Sequence, residues 1–396
     1  MQSLLFLCHR IPFPPDKGEK IRAFRILEHL SRSFRINLGC FIDDDADWAH
    51  VDALKPYCAE LKCLGMSLRA SRLKAVSGLL TRAPLSVACF ANARMNEWVS
   101  AVLAHEQQRA VFVYSSAMAQ FVMHQNLGTA RLVMDFVDVD SDKWRQYAKD
   151  ARRPMRWIYA REARLLLAYD REVAARADAS LLVSNAEADL FRKLAPESAA
   201  KIHAIANGID CDYFSPAHTF ERPFKPAGPA YVFTGTMDYR PNVDAVVWFA
   251  NEIFPRIRAE QAGATFTIVG SKPAKEVAAL ENRDGITVTG RVADVRPYLA
   301  HADVVVAPMR IARGIQNKIL EGMAMAKPVV TTQQGLEGID ATPGRHLLLA
   351  DTAEEFASAS LRALAPSARD VGLAARALME ASYAWPSRLA PLDRLV

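Results

Sequence analysis

Six cysteines are scattered through 396 residues, and no two stand in a Cys-x-x-Cys pair. Zinc ribbons and thioredoxin-like redox motifs are thereby excluded. Cys8, Cys40, Cys58, Cys63, Cys89 and Cys211 read as reduced residues of a cytoplasmic chain, with no metal expected. No window approaches the ~18 uninterrupted apolar residues of a membrane span. The apolar run from Ser3 to Cys8 is too short for a secretory leader, and His9-Arg-Ile-Pro-Phe-Pro-Pro follows at once. The expectation is a soluble cytoplasmic protein, at most peripheral on the inner face of the membrane. No Gly-x-x-x-x-Gly-Lys-Ser/Thr and no first-turn Gly-x-Gly-x-x-Gly is present, which excludes the P-loop and the dinucleotide fingerprint. No basic run has the shape of a groove for a nucleic-acid strand, so nucleic acid is not an expected partner.

What is present suffices for two domains of ordinary size. Hydrophobic residues make up 51%, enough for two cores, and the net charge of +5 suits anionic small molecules or an anionic membrane surface. Ser3–Cys8 reads as a buried strand. A Pro-rich loop bearing Gly18 follows, then an amphipathic helix through Arg22, Phe24 and Leu27. Asp43-Asp44-Asp45 reads as a solvated loop and helix cap rather than a metal motif. Residues 68–82 are basic and amphipathic, which fits either a surface helix or a foot on an anionic membrane. Strands at 111–114 and 131–137 end at Ser115-Ser116 and at Asp138-Val-Asp140. In open parallel sheets ligands collect beyond such strand ends, so Asp138 and Asp140 are candidates for acceptor contact or base duty. Capping of the next helix by Asp140 or Ser141 is the alternative. Trp144 to Arg176, rich in arginine with aromatic punctuation, reads as one long helix whose charge suits anionic lipid or a pyrophosphate-linked acceptor.

The second half repeats the strand–turn–helix series. Tyr231–Gly235, Thr265–Gly270 and a strand from Ile286 to Gly290 each end in a turn glycine. The apolar run from Asp303 to Pro308 is another strand, and then comes Arg310-Ile-Ala-Arg-Gly-Ile-Gln-Asn-Lys-Ile-Leu-Glu-Gly322. Gly314 is expected to open a helix whose amides face an anion. Lys318 supplies a point charge for the same anion, and Glu321, three residues on, lies on the same side. The pattern suits a nucleoside diphosphate, with the diphosphate at the helix start and the ribose at Glu321. A strand-to-helix junction with a solvated Lys–Glu pair is the plainer alternative.

The run from Gly314 to Val330 resembles the donor-binding segment of family 4 retaining glycosyltransferases, in which two glutamates lie seven residues apart. Glu321 matches the second; Arg313 stands where the first belongs. The first loop resembles that family's "P-x-x-GG-x-x-R" through Gly18 and Arg22. Asn207-Gly208-Ile-Asp…Phe214-Ser-Pro216 resembles its inter-domain segment. Gly235-Thr-Met-Asp-Tyr-Arg-Pro-Asn-Val-Asp244 resembles its donor-side loop, and Gly290, Val292 and Asp294 match its "G-x-V-x-D". The whole set is similar to sugar transferases of bacterial exopolysaccharide or PEP-CTERM-associated clusters.

The resemblance implies an α/β fold of the GT-B type: two facing Rossmann-like domains with a cleft between them. Residues 1–206 would form the acceptor-side domain, 207–229 a linker and 230–383 the donor domain, with 384–396 returning to the first. It implies a retaining, hexosyltransferase-type enzyme without metal or cofactor. The substrate would be a nucleotide sugar, and the acceptor a glycan or lipid-linked molecule. Donor binding would fall to Gly18, Arg22, Gly235, Arg240, Asn242, Gly290, Arg310, Arg313, Gly314, Ile315, Gln316, Lys318 and Glu321. Catalysis would fall to Asp138, Asp140 and Lys318. A nucleotide-sugar epimerase and a non-catalytic donor-binding subunit are the other readings.

Overall fold

The structure, a computed structural model, describes residues 1–15, 18–66, 83–224, 228–312 and 315–396. Two compact units emerge: Met1–Asn207 with Arg388–Val396, and Gly208–Ser387.

In the first unit a parallel sheet runs in the order β3-β2-β1-β4-β5-β6-β7. The strands are β1 (Gln2–Cys8), β2 (Phe34–Ile42), β3 (Glu60–Gly65), β4 (Gln108–Tyr114), β5 (Arg131–Val137), β6 (Ala179–Leu182) and β7 (Ile202–Ala204). Helices cover both faces, which is why the central strands are continuous apolar runs instead of alternating ones. Leu4 to Leu7 and Ala110 to Val113 are fully buried. The strand order reverses between β1 and β4, and this places the crevice of the sheet beyond Cys8 and Tyr114. Strand β3, at the sheet edge, has no apolar run to announce it. The expected long helix is two helices, Asp140–Asp150 and Met155–Arg176. Pro154 explains the break, because its ring removes a helical donor and crowds the preceding turn. The basic stretch 68–82 lies outside the described residues.

The second unit has the sheet order β10-β9-β8-β11-β12-β13, again all parallel. Its strands are β8 (Ala230–Thr234), β9 (Thr265–Val269), β10 (Ile286–Val288), β11 (Val304–Ala307), β12 (Val329–Thr331) and β13 (Leu348–Leu349). The reversal lies between β8 and β11, so the crevice of this sheet opens beyond Thr234 and Ala307. The segment expected as a linker joins this unit from Gly208. Ile209 bridges to Ala384 and, with Cys211, enters the hydrophobic core. Arg388–Val396 belongs to the first unit: His29 Nε2 lies 2.6 Å from Asp393, and Arg131 donates to the Arg394 carbonyl at 3.2 Å.

Candidate functional site

The two strands flanking the second unit's reversal each lead toward a helix. Beyond β8 comes Arg240–Trp248, and beyond β11 comes Asn317–Ala324. Their first-turn amides lack helical partners and carry partial positive charge. The second helix begins at Asn317, with Gln316 as N-cap, which corrects the expectation that Gly314 opens it. Arg313 and Gly314 lie outside the described residues.

Side chains from both helices meet below these ends. Lys318 is buried, and its Nζ donates to Asn242 Oδ1 at 3.1 Å. The same ammonium lies 5.2 Å from the centroid of the Phe233 ring. Asn242 is buried too and donates through Nδ2 to the Thr236 carbonyl at 3.0 Å. Glu321, one turn deeper, is half-buried and accepts from Thr234 Oγ1 at 3.3 Å. Burial brings the Lys318 ammonium down to about 8 against the pull of Glu321. Burial likewise raises the Glu321 carboxyl, while Lys318 and Thr234 oppose the shift. A lysine and a glutamate one turn apart on an exposed face would show neither effect, so the solvated-pair alternative fails.

Two glycines make this assembly fit. A Cβ on Gly235 would stand 2.7 Å from Asn242 Nδ2, and one on Gly270 would stand 1.6 Å from the Gly235 carbonyl oxygen. Both contacts are closer than carbon tolerates, so the turns after β8 and β9 require the missing side chains.

The other expected donor residues of this unit lie farther out. Arg310 is held by Asp244 in a bidentate pair at 2.7 and 3.0 Å, over the Trp248 ring at 5.0 Å. Arg240 is exposed at the first position of its helix. Ile315 packs on the core beside Gly338, and Gln316 is half-buried at the N-cap. Gly290 follows β10 at the sheet edge and has a positive φ of 66°. Sequence reasoning missed Thr234, Thr236 and Phe233, which support Glu321, Asn242 and Lys318. Their position at the end of β8, beside Gly235, was the available signal.

In the first unit, Asp138 and Asp140 are both drawn to Lys143, at 2.8 and 3.0 Å. Neither Asp140 nor Ser141 caps the following helix; Val139 holds the N-cap position without a side-chain bond. Gly18 begins the Gly18–Ser31 helix with open space where a Cβ would go. Arg22 requires a correction. Its guanidinium is buried and bonded to Asp135 at 2.9 Å, the Ile205 carbonyl at 2.7 Å and Asn207 at 3.0 Å. It ties the helix to β5 and to the chain after β7. A cluster that the sequence did not announce lies beyond β1. His9 stacks on Tyr114, and Glu19 lies 3.6 Å from His9 and 2.5 Å from Arg10. The neighbouring His9 ring and the charge and hydrogen bond of Arg10 hold the Glu19 carboxyl at about 2, against the opposing effect of burial. Asp44 caps the segment Asp45–Tyr57, as its composition suggests.

Comparison with known proteins adds to this geometry. Residues 228–366 match the family model for glycosyl transferases group 1, a span that holds every second-unit site residue above. No curated protein matches the sequence. Among solved structures, sucrose-phosphate synthase from Thermosynechococcus elongatus is similar at 17% identity and a TM-score of 0.66, over 100% of this chain and 98% of that one. HepE of Anabaena, solved with UDP, is similar at 14% identity and a TM-score of 0.63, over 99% and 98%. A glycosyltransferase from Rickettsia africae is similar at 13% identity and a TM-score of 0.62, over 100% and 97%. The fold is GT-B, and residues 228–366 of its second unit are similar to glycosyl transferases group 1.

Proposed function

We propose that the protein transfers a sugar, with retention of anomeric configuration, from a nucleoside diphosphate donor to a glycan or lipid-linked acceptor in exopolysaccharide assembly. One observation carries this reading. Within the matched residues, at the reversal of a parallel sheet, a buried lysine and a half-buried glutamate hang below a helix start. Such a lysine stabilises charge that grows on a leaving diphosphate. Glu321 sits where a carboxylate can accept from a pair of ribose hydroxyls. HepE has been solved with UDP and with UDP-glucose, which supports a nucleotide-sugar donor for a chain of this fold. Asp138 and Asp140 serve the acceptor in this reading, with Lys143 as their counter-charge. The reading requires neither metal nor cofactor.

A thermal-shift screen against UDP-, GDP-, ADP- and TDP-sugars tests the proposal, with stabilisation by one base class expected. Glu321→Ala should then weaken binding of that nucleotide by about 1–3 kcal/mol, the cost of a lost charged hydrogen bond. Turnover should survive a chelator. Sugar inversion without any acceptor would select the epimerase reading instead. Tight binding without donor hydrolysis or transfer would select the non-catalytic one.

A further inference from the structure

The helical hairpin formed by Asp140–Asp150 and Met155–Arg176 carries a feature that glycosyl transfer does not use. At its base the charges are neutralised internally. Lys143 meets Asp138 and Asp140, and Arg145 meets Asp142 at 2.5 Å. At its tip they are not. Between positions 149 and 156 there are four cations, Lys149, Arg152, Arg153 and Arg156, against one carboxylate, Asp150. Arg152, Arg153 and Arg156 are exposed, and none of them has an ion-pair partner among the described residues.

The same tip holds apolar side chains in water. Among the described residues nine large hydrophobic side chains are exposed, and three are on this hairpin: Tyr147 at 55%, Met155 at 41% and Trp157 at 62%. Isolated exposed hydrophobics are ordinary. Two of them, Met155 and Trp157, stand among the unpaired arginines and form a patch that needs a partner. The hairpin has somewhere to put aromatics when packing is their purpose. Trp144 lies 5.4 Å from Tyr159 and 5.8 Å from Tyr147, and this cluster clamps the two helices together. Trp157 stands outside it.

We propose that this tip docks on an anionic phospholipid bilayer. The chemistry matches on both counts. Guanidinium groups meet lipid phosphates, while Trp157 and Met155 enter the boundary between headgroups and acyl chains, where an indole is favoured. Arginine stems lie along the apolar surface and keep their charge at the phosphate level. An acidic protein surface or a phosphate-bearing polymer would satisfy the arginines but leave Trp157 and Met155 unused. The docking surface also has a functional address. The eleven-residue first helix spans about 16 Å, so a lipid surface at the tip lies that far from Asp140, within reach of a lipid-linked acceptor.

The test is flotation of the full chain with phosphatidylcholine vesicles and with equimolar phosphatidylcholine–phosphatidylglycerol vesicles, without nucleotide or donor. Binding to the anionic vesicles alone is expected, with a blue shift of tryptophan emission and quenching by brominated acyl chains. Trp157→Ala should lower partitioning about tenfold and remove the quenching. The triple variant Arg152→Ala, Arg153→Ala, Arg156→Ala should lower partitioning on the order of a hundredfold. All four residues are exposed, so unchanged thermal transitions are expected and serve as the folding control. Equal binding to both vesicle types would overturn the proposal. So would unaltered quenching in Trp157→Ala, or equally tight binding of a soluble polyphosphate that depends on the same arginines. The assay contains no sugar donor, so its failure leaves glycosyl transfer untouched, and failure of glycosyl transfer leaves the docking surface standing.

Discussion

Burial sets the protonation of Lys318, and this has a direct consequence for ligand binding. The ammonium titrates at about 8 in the folded protein, against an ordinary value of 10.5. Between those values the unfolded chain binds a proton that the folded chain lacks, so this residue makes stability rise with pH across that window. A diphosphate seated against Nζ reverses the preference by supplying charge to the ammonium. Binding should therefore require proton uptake above about 8, and affinity should fall by up to roughly tenfold per pH unit there. Calorimetry at pH 7 and pH 9, in buffers of different ionisation enthalpy, should show no proton uptake at the first and close to one proton at the second. Lys318→Arg should abolish the difference. Arg22 gives the contrasting case. Its pair with Asp135 is buried at both ends, so Arg22→Leu leaves an unpaired carboxylate and should cost about 3–5 kcal/mol of first-unit stability. The nucleotide affinity of the folded variant should not change, and denaturant unfolding with calorimetry separates the two effects. The sequence offers no way to tell these cations apart. Both stand four residues after a glycine, and only the tertiary partners, Asn242 for one and Asp135 for the other, assign their roles.

The elements show where a linear reading succeeds and where it stops. Central strands such as β1, β4, β8 and β11 were legible because burial on both faces leaves an uninterrupted apolar run. Strand β3 was not, because Glu60-Leu-Lys-Cys-Leu-Gly65 at the edge mixes charge with apolar residues. The Asn317–Ala324 helix was read correctly for Ile319, Leu320 and Met323, all buried, whereas Ile315, read onto the same face, precedes the helix and is half-buried. Its start was misplaced, because a glycine marks a turn without saying how many residues follow before helical bonding begins. Turn glycines likewise said nothing of the contact between the ends of β8 and β9. That contact is testable. Gly235→Ala places a carbon 2.7 Å from Asn242 Nδ2, and the amide has to leave either the Thr236 carbonyl or Lys318. Nucleotide affinity should fall about tenfold, comparable to the loss in Asn242→Ala, with only a small change in thermal stability. Gly270→Ala meets the Gly235 carbonyl, which is backbone and cannot swing aside, so its main effect should be on stability. If Gly235→Ala bound nucleotide normally, the Asn242 brace would not be what positions Lys318.

At the scale of the molecule, the two Rossmann-like units were visible in the repetition of strand, turn and helix. Chain order, however, hides which residues belong to which unit. Residues 207–229 read as a linker because the chain turns Pro- and Gly-rich from His218 to Pro229, yet Ile209 and Cys211 are core residues of the second unit. The last nine residues belong to the first unit. Leu389, Leu392 and Val396 are buried there at 1%, 0% and 4% exposure, and Asp393 meets His29. Each such side chain contributes about 1.5–3 kcal/mol relative to exposure, offset in part by the entropy of ordering the tail. A chain ending at Ser387 should therefore lose about 3–5 kcal/mol from the first unit. Its second unit, complete through Ser387, should keep its affinity for nucleoside diphosphate. Two unfolding transitions are expected in denaturant, only the first of them moved by the truncation, with nucleotide raising only the second. A single transition, lowered as a whole and carrying nucleotide affinity down with it, would mean that the tail stabilises both units together and that the donor site depends on more than the second unit's own residues.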